Sequence, residues 1–351
     1  MQCIAIDVGA GTQDILIYDD EKSVSQCFKM VLPSRTVIVA ERIRDATDQH
    51  KDVFLDGFTM GGGPCVRAIK DHLKAGLQVY ATETAAKTIY DDLDRVRSLG
   101  AVVMPDGAKA DSGAIRIETA DIDLPAVRGM LGLFGIGMPE TFAVAVQDHG
   151  ESTGSNRIFR FEHLKRLIRA GGDLQSFVYA RETIPEYLTR MHAVAETLVD
   201  FELVLMDTGP AAIFGAVPTA ASVSGANDRP EPKIVLNIGN GHTLCAILMD
   251  ERVTGVFEHH TRQLDLGTLD TYIDKLADGT LTFDEIFESG GHGCYIEAIP
   301  DTMPQVIVTG PNRHIAEESR HDITFAAPHG DMMLTGCFGL IKGMLSTKGD
   351  R

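Results

Sequence analysis

The stretch "IAIDVGAGTQDILIYD", residues 4–19, decides the fold of this chain, because the chain repeats its pattern later. The second copy is "IVLNIGNGHTLCAILMD", residues 234–250. In both copies an apolar run is interrupted by Asp or Asn, any residue, Gly, any residue, Gly, and then resumes. Two apolar runs joined by a short glycine-containing turn predict a β-hairpin. We therefore expect the same hairpin twice, far apart in the sequence.

The glycines of these turns indicate the kind of ligand that the hairpins would bind. Glycine has no Cβ, so the backbone N–H groups of such a turn can approach a phosphate closely. Two facing hairpins could hold both sides of a polyphosphate across a cleft. The phosphate-binding candidates at the two turns are Gly9, Gly11, Thr12, Asn237, Gly239, Gly241 and His242.

Carboxylates flank the first turn. Asp7 ends the first apolar run and Asp14 follows the turn, so both are candidate partners of a hydrated Mg²⁺ that bridges phosphates. The alternative for Asp7 is an acid that only stabilises the turn.

Chain length and net charge limit the possible domain organisation and the possible classes of ligand. With 351 residues the chain is long enough for two domains, and we place the boundary near Asp200, giving a first lobe 1–200 and a second lobe 201–351. A net charge of −18 argues against nucleic-acid binding and against an anionic membrane surface. A phosphate-bearing ligand must therefore be held by local backbone donors or by a metal.

Cysteine usage and hydropathy predict a cytoplasmic protein. The six cysteines form no C-x-x-C pair, so neither a disulfide framework nor a four-thiolate metal site is indicated. The longest apolar stretch, residues 129–140, is broken by Pro139 and Glu140, well short of a membrane span. We expect a small-molecule substrate and no membrane or nucleic-acid partner, with homo-oligomerisation left open.

Alternating strand and helix patterns indicate an α/β fold, and a second pattern recurs within it. An apolar strand is followed by Gly-Pro and a helical run at residues 56–73, 201–216 and 305–319. Glycine permits a sharp turn and proline suits the first helical turn, so each unit aims a helix N-terminus at the carboxyl ends of the strands. Open α/β sheets bind phosphates there. The alternative is a compact connection without a ligand.

The order of these motifs resembles the superfamily of acetate and sugar kinases, heat-shock chaperone ATPases and actin. "IDVGAGTQD" resembles its first phosphate hairpin, "MDTGPAAIFGA" its connecting helix and "LNIGNGHT" its second phosphate hairpin. "VIVTGPNRH", with Gly310 and Asn312, resembles the adenosine-binding turn, and residues 329–343 resemble the closing helix. The resemblance implies a two-lobed actin-like ATPase (ribonuclease H-like) architecture, with mixed sheets flanked by helices, that binds ATP and Mg²⁺.

The chain departs from the superfamily pattern at two positions. Asn237 stands where the second hairpin usually has an aspartate, and His242 stands where a hydroxyl residue is common. An amide can still bind a metal-bound water, so nucleotide binding tolerates these changes better than rapid phosphoryl transfer does. More narrowly, "IDVGAGTQDIL" with "TMGGGP" resembles a largely archaeal family labelled as a pyruvate formate-lyase activating enzyme. The C-x-x-x-C-x-x-C cluster of a radical enzyme of that type is absent from the sequence.

Phosphoryl transfer requires a base or a water-orienting group in the cleft. Asp207, at the end of "FELVLMD", is the first catalytic candidate, and Asp148, at the end of "TFAVAVQD", is the second. For both, capping of a helix or turn is an equally good interpretation. In "GGGPCVR", Gly62, Gly63 and Arg67 could form an anion site for a second substrate, or the glycines could serve close packing.

Histidines in glycine-rich loops provide a rival hypothesis. His149, His242, His292 and His329 lie next to glycines at strand ends, where neutral imidazoles could bind a transition metal. Three functions therefore stay open: a Mg²⁺-dependent phosphotransferase or ATPase acting on a small anionic metabolite, a non-catalytic nucleotide-responsive scaffold, and a metal-dependent enzyme that uses the loop histidines.

Overall fold

The computed structural model describes residues 1–109, 113–151, 154–217 and 231–349. Within these residues the chain forms an α/β fold with three sheets, two of six strands and one of four. No helix in the described part of the chain is long and apolar enough to cross a membrane.

The first six-stranded sheet contains the first glycine hairpin. Its strands are β1 (Gln2–Val8), β2 (Thr12–Asp19), β3 (Phe28–Pro33), β8 (Thr141–Val146), β9 (Tyr179–Ala180) and β10 (Glu202–Met206), in the order β3-β2-β1-β8-β10-β9. The first three strands are antiparallel neighbours, whereas β8 runs parallel to both β1 and β10. Every side chain of β8 is buried, as expected for a central strand covered on both faces.

The second six-stranded sheet repeats this arrangement around the second hairpin. Its strands are β11 (Lys233–Ile238), β12 (His242–Met249), β13 (Arg252–His260), β14 (Gly293–Ile296), β15 (Gln305–Thr309) and β16 (Ile323–Phe325), in the order β14-β13-β12-β11-β15-β16. The run β13-β12-β11-β15-β16 has the order and the strand directions of β3-β2-β1-β8-β10. The sequence repeat is therefore a repeat of a whole sheet.

A smaller parallel sheet is inserted between β3 and β8 of the first sheet. Its strands are β4 (Val53–Gly57), β5 (Val79–Thr82), β6 (Val102–Met104) and β7 (Ile115–Thr119), in the order β6-β5-β4-β7. Helices α1 (Arg35–Asp48), α2 (Gly63–Lys74), α3 (Glu83–Ala86) and α4 (Leu93–Ser98) belong to this part of the chain and share its hydrophobic core.

The remaining helices cover the two large sheets. They are α5 (Leu124–Leu133), α6 (Asn156–Ala170), α7 (Thr189–Thr197), α8 (Thr208–Ala216), α9 (Leu266–Ala277), α10 (Phe283–Glu288) and α11 (Thr335–Gly349). Helices α5 and α7 cover the outer face of the first sheet, and α9 and α10 cover the outer face of the second.

Helices α8 and α11 lie between the two large sheets and form one core with side chains from both. Their backbones approach so closely that a Cβ added at Gly215 would collide with the Thr335 carbonyl oxygen. A Cβ added at Gly339 would likewise collide with the carbonyl oxygen of Ala211. Small residues therefore set the distance between the helices and, through them, between the sheets.

The fold bears on two sequence-based expectations, the helix after the third Gly-Pro unit and the lobe boundary. In the third strand–Gly-Pro unit, the strand is followed by one 3-10 turn, Arg313–Ala316, and not by an α-helix. The helix predicted there is therefore wrong. The next regular element is strand β16, which begins at Ile323. Strand β10, which follows residue 200, pairs with β8 of the first sheet. The lobe boundary at 200 stays a prediction.

Gly339→Ala tests the close packing of α8 on α11. Because the new methyl group would meet backbone atoms, which cannot move aside like a side chain, we expect the free energy of unfolding to fall by about 3 kcal/mol or more. Urea unfolding followed by circular dichroism measures this. Gly129→Ala is the matched control, since Gly129 lies inside α5 with nothing within 4 Å of an added Cβ, and it should be neutral or slightly stabilising. Equal stabilities of the two variants would contradict the packing argument.

Candidate functional site

One large cavity lies where the two glycine hairpins and the inserted sheet meet. Its volume is about 1140 Å³, enough for a nucleotide and a second small molecule. The two hairpin tips approach each other at its edge, because a Cβ added at Gly11 would lie 2.9 Å from Asn240 Nδ2. The tips thus face the same space and do not point apart.

The two turns have the same hydrogen bonds. The Gly9 N–H donates to the Thr12 carbonyl at 2.8 Å, and the Gly239 N–H donates to the His242 carbonyl at 2.9 Å. The next strand is joined to each turn in the same way, with Ser34 donating to Gly11 and Thr261 donating to Gly241. The sequence repeat therefore builds two copies of one local structure.

The predicted nucleotide-binding residues fall into two groups. Those that line the cavity are Gly9, Thr12, Asn237, Gly239, Gly241, His242 and Gly310. Gly11 lies at the tip contact, and Asn312 supports the second turn, since its Nδ2 donates to the Gly239 carbonyl at 3.0 Å. A role of any of these residues in binding a nucleotide stays a prediction.

The candidate metal ligands Asp7 and Asp14 face each other across the first hairpin as a register pair. Each has a buried Oδ1 atom without a hydrogen-bond partner. Burial raises the pKa of Asp7 well above its usual range, and Asp14 and Asp207 raise it further. Burial also raises the pKa of Asp14 to about 7, with Asp331 adding to the shift and a hydrogen bond from Thr12 opposing it. Two such carboxyls suit a cation, which would offset their charge.

The catalytic candidate Asp207 takes part in a buried ion pair. Arg160, 2% exposed on α6, donates to both carboxylate oxygens of Asp207, at 2.6 and 2.9 Å. The Asp207 carboxylate also caps α8 by accepting from the Gly209 N–H at 3.1 Å. On its other side Arg160 donates to both oxygens of Glu258, at 2.7 and 2.8 Å. This arrangement favours the capping interpretation of Asp207.

The second catalytic candidate, Asp148, lines the cavity but also binds backbone. Its oxygens accept from the N–H groups of Gly150 and Met191, both at 2.9 Å. Burial raises the pKa of this carboxyl to about 6, although those hydrogen bonds lower it. Its protonation state therefore changes near neutral pH. A catalytic role stays a prediction for both aspartates.

The glycine-rich loop before α2 reaches the cavity, and Gly62 and Gly63 line it. Arg67, the basic residue expected beside them, is exposed on α2 and is not among the lining residues. The guanidinium near the loop belongs to Arg190, whose Nη2 would lie 2.8 Å from a Cβ added at Gly61. Arg190 is itself bound to Asp121 at 2.6 Å.

Three of the four predicted histidines meet in the cavity. The candidate ligand nitrogens of His149, His242 and His292 lie within 4.8 Å of one another. His329 lies elsewhere, with its ring centroid 4.9 Å from that of Phe338.

Sequence reasoning missed the charged residues that join the sheets, Arg160, Glu258 and Arg190. Arg160 lies in α6 and Arg190 in α7, and arginine in a helix normally faces solvent, so nothing local distinguishes them. Glu258 did carry a signal, because an ionisable run, Glu258 to His260, ends the otherwise apolar strand β13. Burial of such a run requires partners from other elements.

Comparison with known proteins gives one family. The family model described as "Putative pyruvate format-lyase activating enzyme (DUF1786)" matches residues 60–315, more than half of the chain. This chain belongs to that family. No curated protein matches it. The family resemblance inferred from the hairpin and the glycine loop is confirmed.

Solved structures of similar fold cover nearly the whole chain. Ethanolamine utilization protein EutJ from Carboxydothermus hydrogenoformans is 12% identical, with 97% of this chain and 89% of that chain covered and a TM-score of 0.32. Inorganic polyphosphate/ATP-glucomannokinase from Arthrobacter sp. strain KM is 12% identical, covering 98% and 99%, with a TM-score of 0.37. A Bacteroides thetaiotaomicron protein with an actin-like ATPase fold is 6% identical, covering 96% and 95%, with a TM-score of 0.35.

The predicted α/β fold, with mixed sheets flanked by helices, is confirmed. The two large sheets share one strand order, β3-β2-β1-β8-β10 in the first and β13-β12-β11-β15-β16 in the second.

Asp14→Asn tests the electrostatic cost at the first hairpin. Because the folded pKa of Asp14 is raised to about 7, the folded protein keeps a proton that the unfolded chain releases, and stability falls as pH rises from about 4 to about 7. The variant should gain roughly 2 kcal/mol in unfolding free energy at pH 8 and nothing at pH 4. Urea unfolding in the presence of a chelator measures both values.

Asp19→Asn is the control, on the same strand at the other end of the hairpin. The Lys22 ammonium lowers the pKa of Asp19, so this variant should show no gain at pH 8. If Asp14→Asn also shows none, the cost assigned to Asp14 is wrong.

Proposed function

We propose that this chain binds ATP with Mg²⁺ in the cavity and transfers the terminal phosphoryl group to a small anionic acceptor or to water. The observation that carries the proposal is the pair of identical glycine turns on one cavity. Each turn presents backbone from a different large sheet. Because the N–H groups of Gly9 and Gly239 donate within their own turns, a triphosphate between the turns would meet the N–H groups of residues 10–11 on one side and 240–241 on the other. In a chain with a net charge of −18, such local donors are needed to hold an anion.

The first hairpin fits a magnesium ion. Mg²⁺ prefers oxygen ligands, keeps several waters and is usually held by one or two carboxylates together with substrate phosphates. Asp7 and Asp14 offer two carboxylates beside the turn, each with one buried oxygen that has no partner. The positive charge of the ion would offset the negative charges of the two carboxylates. The ion would also place phosphate oxygens at the turn.

The nucleoside and the anionic acceptor would occupy different parts of the cavity. Gly310 and Pro311, which follow β15, line it on the side of the second sheet and suit a nucleoside. Gly62 and Gly63 line it on the side of the inserted sheet and suit the anionic acceptor, with Lys87 also among the lining residues. For the base, Asp148 is the better placed aspartate, because it lines the cavity and Asp207 is bound to Arg160.

The activity named in the family description does not fit this chain. A radical activase would need three cysteines in the pattern C-x-x-x-C-x-x-C to hold its iron–sulfur cluster. The sequence has no such pattern, and its six cysteines are buried and separate. We infer that the family label does not describe the reaction of this protein.

Asp7→Asn tests the nucleotide and metal assignments together. Titration calorimetry with ATP should show binding to the wild type that is strengthened by Mg²⁺, because the ion links Asp7 to the phosphates. In the variant the Mg²⁺ dependence should be lost, with affinity reduced about 10-fold or more. Asp19→Asn, on the same hairpin but outside the cavity lining, should behave like the wild type. Absence of ATP binding by the wild type would end the proposal, and unchanged Mg²⁺ dependence would end the assignment of Asp7.

Gly241→Ala separates the fold from phosphate binding. An added Cβ at Gly241 has nothing within 4 Å, and the residue lines the cavity, so the unfolding free energy should change by about 0.5 kcal/mol at most. The methyl group would occupy the space of a phosphate at the turn and should weaken ATP binding about 10-fold. Calorimetry and urea unfolding of the same preparation measure the two effects. Unchanged affinity would show that the second turn does not contact the nucleotide.

A further inference from the structure

We propose that His149, His242 and His292 form a site for a divalent transition-metal ion, such as Zn²⁺, Fe²⁺ or Co²⁺, separate from the magnesium site and independent of nucleotide. The three residues come from different parts of the fold. His149 follows β8 of the first sheet, His242 begins β12 of the second sheet, and His292 directly precedes β14. Their candidate ligand nitrogens all lie within 4.8 Å of one another.

The spacing of the three rings suits a shared metal ion. The ring centroids of His242 and His292 are 4.8 Å apart, and that of His149 is 5.7 and 5.6 Å from them. Ligands about 2.1 Å from a tetrahedral ion lie about 3.4 Å from one another, so small side-chain rotations would complete the geometry.

Buried ring nitrogens without hydrogen-bond partners also support a metal site. His292 is fully buried, and its Nε2 atom makes no hydrogen bond. The Nε2 atom of His242 is buried without a partner as well. Buried polar atoms are nearly always paired, and here two neighbouring rings each have a buried nitrogen atom without a partner. A metal ion would accept the free lone pairs of these rings.

The protonation state of the rings fits the role of ligand. Burial, together with the charge of Arg160, lowers the pKa of His149 well below its usual value. Burial likewise lowers the pKa of His242 to about 3, although Glu258 opposes the shift. Neutral imidazole is the form that binds metals, so these rings need not lose a proton first.

The carboxylate of Glu258 lies next to one of the three histidines. Glu258 Oε2 lies 2.7 Å from His292 Nδ1, so the carboxylate is next to the ring nitrogen that does not face the other histidines. Metal-bound histidines commonly direct their second nitrogen to a carboxylate, which orients the ring. Arg160 holds Glu258 in place and is itself matched by a second carboxylate, Asp207. One buried negative charge is therefore left over, and a cation would offset it.

The ligand set indicates the class of site. Three imidazoles select transition metals over Mg²⁺, which prefers oxygen. Three protein ligands with the fourth position open to a cavity are typical of sites that bind a water or a substrate oxygen, whereas closed structural sites have four. All three histidines line the large cavity, so the fourth ligand would be a water or an oxyanion within it.

The test uses full-length, tag-free protein, stripped with a chelator and studied without nucleotide or Mg²⁺. Titration with Co²⁺ should give the visible absorption of a low-coordinate ion at one equivalent. His149→Ala and His242→Ala should each weaken Co²⁺ binding by about 100-fold or more. These residues are only half-buried, so both variants should fold even if one at His292 does not.

His260→Ala is the matched control. The His260 ring lies 4.7 Å from that of His242 and also lines the cavity, but it is not part of the ligand group. This variant and Asp7→Asn should bind Co²⁺ like the wild type. The site is disproved if the wild type binds no Co²⁺, or if His149→Ala and His260→Ala weaken binding equally. Neither outcome bears on ATP binding, which is measured separately.

Discussion

The cavity depends on the two buried ion pairs of the Arg160 guanidinium. The guanidinium binds Asp207 at the end of β10 and Glu258 on β13, and so joins the first large sheet to the second. Withdrawing such a charge from water costs several kcal/mol, which only well-aligned partners offset. Removing one partner would leave a buried charge unmatched, at about 3–5 kcal/mol. The two sheets are thereby held at the spacing that lets their hairpin tips face one cavity.

A steric constraint acts together with this electrostatic one. Helices α8 and α11 fill the space between the sheets and touch through backbone at Gly215 and Gly339. The first turn of α11 also lies against the first hairpin, since an added Cβ at Gly336 would collide with the Asp7 carboxylate. Cys337 contacts the Asp14 carbonyl at 3.1 Å. Any change in the helix packing would therefore move the two candidate metal ligands.

The two hairpins share a backbone but differ in charge. The first has two buried carboxyls, Asp7 and Asp14, whereas the second has Asn237 and lies beside the histidine rings of His242 and His292. The amide of Asn237 packs at Gly310, where an added Cβ would lie 2.7 Å from its Oδ1. A second aspartate here would add another negative charge to the lining of the cavity. The change from acid to amide thus leaves the candidate oxygen ligands at the first hairpin and the candidate nitrogen ligands at the second.

The sequence by itself determined the repeated hairpin and the α/β class, because turn glycines and apolar alternation are local signals. It also named Asp7, Asp14 and three of the histidines that line the cavity, since each lies beside a turn at a strand end. The partners of Asp207 and the identity of the arginine beside the glycine loop, Arg190 instead of Arg67, were decided by tertiary structure alone. Ion pairs between residues far apart in the chain depend on how helices pack on sheets, and no local pattern records that packing.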